Sequence, residues 1–249
     1  MKLPIYKKIL FFLMGSGVLM AFFFNAQHAP AATLTSATAL VPVLEKRSAQ
    51  DLPALYEKLA LDSLGLSPAA FDYAVQGYNH LLLSGRIKRE DILSIIDFSL
   101  PSSKKRLFVI DLRQGKLLFN TLVSHGRNSG RETATTFSNE PDSYKSSLGF
   151  YITAETYRGE HGYSLRLQGE EKGINDNAMS RGIVMHSADY VNERFARSQG
   201  YIGRSLGCPA IPQVLHRKII ESIRNGTCLF LYSPDKFYAK HSRILANNA

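Results

Sequence analysis

The sequence predicts a mainly β protein with a helical extension at its N-terminal side. After Pro101, short segments carry apolar residues at every second position, the period of a strand with one buried face. Glycine-rich connections separate these segments, as in antiparallel sandwiches and barrels. Between residues 51 and 103, by contrast, apolar residues recur at steps of three and four, which is the period of a helix.

The first 31 residues have the three parts of a secretory signal peptide. Three lysines (Lys2, Lys7 and Lys8) precede an apolar run over residues 9–24, and small residues around Pro30 offer a cleavage site. A run of this length is short for a membrane-spanning helix, which needs about 20 apolar residues, although an uncleaved anchor is the alternative. We therefore expect an exported protein. The membrane would be touched only through this segment, if it is not cleaved.

Composition and charge fit a folded domain and exclude a dedicated nucleic-acid groove. Hydrophobic residues make up 45% of the 249 residues and charged residues 20%, as in ordinary globular chains. The formal charge of +9 falls by three without the signal lysines, and a positive surplus favours polyanions such as nucleic acid, acidic lipid or an acidic wall polymer. The basic residues are scattered, however, and the densest run, Lys104-Lys105-Arg106, is expected on a solvated face.

The N-terminal part divides into a linker and helices. Residues 32–50 are rich in Ala, Thr and Val and are expected to be a flexible linker. In the helical extension, residues 51–103, Ser67-Pro68 is a helix start and Gly85 a stop. A further short helix is predicted from about Arg89 to Asp97.

The predicted catalytic domain spans residues 104–235. A hairpin is expected from Arg106–Leu112 and Lys116–Val123 around the turn at Gln114-Gly115. Further strands are predicted at residues 149–153, 164–167, 182–186 and 227–232, with a helix over residues 212–225. The tail, residues 236–249, is polar and expected to be frayed.

The two cysteines occupy different sequence contexts. Cys228 lies in an apolar strand pattern, whereas Cys208 lies between Gly207 and Pro209 in a loop. An exported protein with two cysteines often forms one disulfide, but these contexts favour a free reactive Cys208 and a buried inert Cys228.

Cys208 and His186 form the candidate catalytic pair. A thiolate is the nucleophilic form of cysteine and needs a proton acceptor, and His186 closes an apolar strand 22 residues earlier. Gly207 allows close approach of the backbone to a substrate, and amide N–H groups of this loop can form an oxyanion hole.

Other polar residues have two possible roles each. His161 either lines a substrate cleft or is a solvated turn residue. Arg181 and Arg204 either bind carboxylates or lie on the solvated surface. Zinc is a further alternative for His125, His161, His186 and Cys208. Their spacing matches no compact ligand motif, so no metal or cofactor is predicted.

With these motifs in place, the stretch from about Lys104 to Pro234 resembles the catalytic domain of the L,D-transpeptidases (YkuD-type), in the branch with a Ser-x-Gly-Cys-Pro motif. Several separate segments carry the resemblance in the same order: Leu107–Leu112, Ser124-His125-Gly126, Ser146-Ser147-Leu148-Gly149, His161–Leu165, Arg181–His186 and Gly203–Pro209.

The resemblance implies a β-sandwich and a cysteine acyl transfer on peptidoglycan stem peptides, in the periplasm or cell envelope of a bacterium. Cys208 would attack the amide before the terminal D-alanine, with His186 as base and later acid, and an amine from another stem would resolve the thioester. Gly207 and Cys208 would supply oxyanion amides, and Ser205 would shape the loop. Water as acceptor would give an L,D-carboxypeptidase. An inactive wall-binding scaffold and a zinc peptidase are the remaining alternatives.

This chain departs from the commonest family pattern at three points. Leu206 replaces a histidine, Pro209-Ala210 follows the cysteine, and Ser187 stands where glycine is usual. These departures bear on acceptor and substrate preference, and Ser187 joins Ser205, Arg204, His161 and Arg181 as a substrate-binding candidate.

Overall fold

The computed structural model describes residues 52–246, so the predicted signal peptide and linker lie outside the described residues. Within this range the helices are α1 (Leu52–Lys58), α2 (Pro68–Leu83), α3 (Glu193–Gln199), α4 (Gln213–Ile223), α5 (Lys236–His241) and α6 (Arg243–Ala246). The strands are β1 (Ile92–Asp97), β2 (Leu107–Asp111), β3 (Lys116–Thr121), β4 (Gly149–Gly159), β5 (Gly162–Gly169), β6 (Val184–Ala188), β7 (Ala210–Pro212) and β8 (Cys228–Tyr232). No helix in this range is long and apolar enough to cross a membrane.

The eight strands form one sheet in the order β3-β2-β1-β8-β4-β5-β6-β7. The mainly β class with helices at its N-terminal side is confirmed, and each predicted strand is present. Two of the strand pairs, β1–β8 and β6–β7, are parallel. The sequence predicted only antiparallel pairs. Parallel neighbours need a crossover connection, and α3 lies between β6 and β7.

Strand β1 corrects the helix predicted from Arg89 to Asp97. It lies between β2 and β8 at the centre of the sheet, and all six of its residues are buried. A strand covered on both faces has a continuous apolar run without alternation, so periodicity does not separate it from a buried helix. Because β1 shares its sheet with the strands after Pro101, the expected division between residues 51–103 and 104–235 is not a structural boundary.

Helix α2 is confirmed with its predicted ends. The Ser67 hydroxyl accepts a hydrogen bond from the Ala70 N–H, and Pro68 is the first helical residue. Gly85 follows the C-terminal end with a φ of +67°, a conformation that favours glycine. The helix packs closely on the sheet, since a Cβ added at Gly77 would lie 2.0 Å from the Phe150 ring.

The C-terminal tail is packed from residue 236 to 246, so the expectation of a frayed tail is wrong for this part. Tyr238, Ile244 and Leu245 are buried. The buried Glu171 carboxylate accepts hydrogen bonds from the Tyr238 and Ser242 hydroxyls and from the Phe150 N–H. Burial raises the pKa of Glu171, and these donors compensate its desolvation.

Candidate active site

The pairing of β6 with β7 places the Cys208 loop against the strand that carries His186. The two strands run parallel with His186 opposite Ala210, so Cys208 lies two residues before the partner of the histidine. Its Sγ accepts a hydrogen bond from the Val184 N–H at 3.5 Å and donates one to the Gly182 carbonyl at 3.7 Å. Cys208 therefore contacts the strand that carries His186, although 22 residues separate the two residues in sequence.

Cys208 rests as a thiol. Burial raises the pKa of its thiol, while the Val184 N–H and the Arg181 charge act in the opposite direction. Neither cysteine forms a disulfide, and Cys228 is buried in β8. The prediction that both cysteines are free and that Cys228 is buried is confirmed, and the reactivity of Cys208 stays a prediction. Activation of Cys208 then requires a base.

His186 has the geometry of such a base. Its Nδ1 lies 2.9 Å from the Ser187 carbonyl oxygen. Because a carbonyl can only accept, Nδ1 carries the proton and Nε2 keeps its lone pair in the neutral ring. Burial lowers the pKa of His186, the Ser187 carbonyl raises it, and the His161 charge lowers it further. The ring is therefore neutral at neutral pH, and no hydrogen bond among the described residues occupies Nε2.

His161 contacts the candidate base directly. It lies in the two-residue turn between β4 and β5, where Gly159 pairs with Gly162. Its ring stacks on that of His186, with centroids 4.3 Å apart and an angle of 21° between the planes. The structure therefore places His161 in the site, against the His186 ring.

Ser205 holds the loop before Cys208. Its hydroxyl donates to the Cys208 carbonyl at 2.6 Å and accepts from the Gly207 N–H at 3.1 Å. The Gly207 amide is thus already bonded and is not free to serve an oxyanion, contrary to expectation. The Cys208 N–H has no partner among the residues that the structure describes and is the amide left available.

Gly207 is required at its position for steric reasons. It has a φ of +127°, and an added Cβ would lie 2.9 Å from the Lys145 carbonyl oxygen. The Ser146 hydroxyl donates to the Gly207 carbonyl and accepts from the Gly126 N–H. The Ser124 hydroxyl accepts from the Ala210 N–H. The two serine-containing motifs of the sequence therefore hold the cysteine loop from both sides.

Arg181 and Arg204 are bonded within the protein. The half-buried Arg181 guanidinium organises the neighbouring loop by donating to Ser138 O, Ser143 Oγ, Lys145 O and Ser147 Oγ. The exposed Arg204 donates to the carbonyls of Arg127 and Gly130, both at 3.1 Å. Their predicted role toward substrate carboxylates stays a prediction.

Arg106 and His125 form a buried pair that the sequence did not predict. Arg106 is fully buried, so the expectation of a solvated face for its basic run is wrong at this residue. Its guanidinium lies 2.7 Å from His125 Nδ1, and His125 Nε2 donates to the Gly130 carbonyl at 3.2 Å. Burial and the Arg106 charge lower the pKa of His125 to about 3. Both ring nitrogens are occupied, which leaves His125 no free lone pair.

Within residues 52–246 the structure gathers no group of three or more His, Cys, Asp or Glu side chains that could hold a metal ion. Of the four zinc candidates, His125 is bonded to Arg106. The geometry is instead that of a cysteine–histidine site at the edge of a mainly β fold.

A family comparison agrees with this class of site. The model of the L,D-transpeptidase catalytic domain matches residues 62–232, and the chain belongs to this family. The match confirms the resemblance and begins inside the stretch predicted as a helical extension, before α2. No curated protein matches the chain significantly.

Solved structures that match part of this chain include several L,D-transpeptidases. One from Mycobacterium smegmatis is 14% identical with a TM-score of 0.36, and the match covers 57% of this chain and 59% of that one. One from Stackebrandtia nassauensis is 13% identical with a TM-score of 0.36, covering 74% and 77%. The helical cell shape determining protein Pgp2 of Campylobacter jejuni is 14% identical with a TM-score of 0.40, covering 65% and 57%. The chain thus spans about three fifths of the first of these proteins.

Proposed function

We propose that the protein is an exported cysteine acyltransferase that acts on peptidoglycan stem peptides as an L,D-transpeptidase. The observation that carries the proposal is the orientation of His186. Its Nδ1–H is fixed on the Ser187 carbonyl, which leaves Nε2 with a free lone pair, and Cys208 lies in the loop that leads into β7, the strand paired with β6. Membership in the family supplies the class of substrate.

Acylation begins with a neutral thiol and a neutral imidazole. Rotation about the Cα–Cβ bond of Cys208 releases the thiol from the Gly182 carbonyl and directs its proton to His186 Nε2. The thiolate then attacks the carbonyl carbon of the amide between the third, L-centred residue and the terminal D-alanine. The Cys208 N–H donates to the resulting oxyanion. The His186 imidazolium returns its proton to the leaving nitrogen, D-alanine departs, and a thioester remains on Sγ.

Deacylation reverses the proton path. An amine of a second stem attacks the thioester, His186 Nε2 takes the amine proton, and the thiol is regenerated as the new amide forms. Water in place of the amine gives L,D-carboxypeptidation. Leu206 lies in the loop before Cys208, next to Gly207, and its apolar side chain is exposed to solvent. The acceptor reaches the thioester from solvent.

The test is mass analysis of muropeptides after incubation of the purified protein with disaccharide tetrapeptides. We expect release of D-alanine and dimers that join the third residues of two stems. Tripeptide monomers without dimers would support the carboxypeptidase. Absence of D-alanine release would contradict both enzymatic proposals and support a binding scaffold.

A carbapenem gives a second readout of the nucleophile. We expect intact-mass analysis to show one adduct, located at Cys208 by peptide mapping and absent from Cys208→Ser. Activity that EDTA removes and zinc restores would support the zinc peptidase.

A further inference from the structure

We propose that His161 is a positioning residue for the general base: its ring closes one face of the His186 imidazole and keeps Nε2 directed at the cysteine loop. This inference rests on the proposed function for its catalytic consequence. In this inference His161 contacts the His186 ring and positions it, whereas one of the two roles predicted from the sequence was to line a substrate cleft.

The ring of His186 has two restraints, and His161 supplies one of them. The bond from Nδ1 to the Ser187 carbonyl fixes one edge of the ring but permits it to tilt about that bond. The stacked His161 ring, 4.3 Å away and 21° from parallel, limits this tilt. Stacked aromatic pairs contribute beyond their buried area, so removal of the His161 ring should broaden the orientations of Nε2.

The hairpin that carries His161 is itself anchored. β4 pairs with β8 only over Gly149–Ile152, so its outer half is supported by β5 alone. Beyond the turn, Tyr163 contacts helix α4: its hydroxyl donates to the Glu221 carboxylate, and the Arg217 guanidinium lies 4.9 Å from its ring centroid. These contacts hold the turn over β6, where His186 lies.

The same contact acts on the protonation of His186. The charged form of His161 lowers the pKa of His186, in addition to the larger effect of burial. Other ionisable groups on the elements packed against β6 are Cys208 on the adjoining loop, Tyr163 and Arg166 on β5, and His216, Arg217, Lys218 and Glu221 on α4. Arg166 forms an ion pair with Glu155, and Arg217 and Glu221 are engaged with Tyr163. Two imidazolium rings in contact repel each other, so a charged His161 ring favours the neutral form of His186, which is the form that can act as a base.

The experiment compares His161→Ala, His161→Phe and the control Glu160→Ala, which alters the same turn without touching the stack. In His161→Ala we expect kcat for D-alanine release to fall by about 2- to 10-fold, the range that a stacked pair provides, with KM unchanged. His161→Phe keeps a flat ring and should retain kcat. Glu160→Ala should behave as the wild type.

A second readout does not depend on turnover. The pKa of His186, followed by NMR titration of its ring Hε1 proton in the resting protein, should rise in both His161 variants because both lack the neighbouring charge. The acid limb of the rate profile should move to higher pH in the same variants.

Three results would overturn the inference: an unchanged titration of His186 in His161→Ala, a raised KM with unchanged kcat, or an equal loss of kcat in His161→Phe and His161→Ala. If the wild-type protein released no D-alanine, the proposed function would fail, and the NMR titration would still decide the role of His161.

Discussion

His125 and His186 are similar in environment and opposite in chemistry. Their exposed fractions are 0% and 4%, and burial is the largest cause that lowers the pKa of each. His125 has Arg106 at Nδ1 and the Gly130 carbonyl at Nε2. Among the residues that the structure describes, His186 is hydrogen-bonded only through Nδ1. A lowered pKa therefore does not identify the base by itself.

The partner at each nitrogen decides what the ring can do. Arginine can only donate, so it fixes Nδ1 of His125 as an acceptor and leaves the remaining proton on Nε2. A carbonyl can only accept, so it fixes the proton of His186 on Nδ1 and leaves Nε2 as the lone pair. The first arrangement stabilises the loop next to Gly130, and the second leaves a free proton acceptor on the strand that Cys208 contacts.

The largest expected effect follows from removing the free nitrogen. His186→Gln should lower the rate of D-alanine release by about 10²–10⁴-fold, the usual contribution of a general acid–base residue. The thiol would remain protonated because burial raises its pKa. The measurement is D-alanine release from a tetrapeptide stem, with circular dichroism to establish that the variant is folded.

The matched control is His125→Phe, which should retain turnover per folded molecule. Near-normal release by folded His186→Gln would contradict the assignment and move the base to His161.

The two cysteines also differ in environment, and we expect a smaller difference, in their rates of alkylation. Cys208 is half-buried beside β6, whereas Cys228 is fully buried in a strand at the centre of the sheet. Alkylation of Cys228 requires opening of that sheet, so iodoacetamide should modify Cys208 at least about 100-fold faster. Peptide mapping measures both rates in one sample. The Cys208 rate should rise with pH because burial raises the pKa of its thiol. Equal slow labelling of both cysteines would contradict this prediction.

Sequence reasoning reached the parts of the molecule that depend on local signals. The cap at Ser67, the stop at Gly85 and the alternating strands after Pro101 are set by neighbouring residues, and each is present. The candidate pair was accessible because a cysteine between glycine and proline is a poor buried residue and His186 follows an apolar run, although His186 lies inside β6 and not at its end as predicted.

The parts that sequence reasoning missed depend on contacts between distant residues. β1 lacks alternation because both of its faces are covered, and Arg106 is buried because His125 and two carbonyls accept its protons. The Ser187 carbonyl that orients the base is a backbone group, which has no sequence signal. The tail is ordered by Glu171, more than 60 residues earlier in the chain.

The smallest expected effect concerns the stability of the protein and tests the bond between His125 and Arg106. His125→Phe removes the acceptor of a buried guanidinium, and a hydrogen bond to a charged group contributes about 1.5–3 kcal/mol. We expect the free energy of unfolding at pH 7, measured by urea denaturation, to fall by about that amount. The exposed His241 on α5 offers the control, since His241→Asn should leave the free energy of unfolding unchanged.

The same variant predicts a pH dependence. In the folded wild type the pKa of His125 is lowered to about 3, so as the pH falls below about 6.5 the His125 ring is protonated in the unfolded chain before it is protonated in the folded protein. The folded wild type therefore loses stability between pH 6.5 and 3 through a group that His125→Phe lacks. The difference between the two proteins should narrow from pH 7 to pH 5, and a constant or widening difference would show that His125 is not held neutral by Arg106.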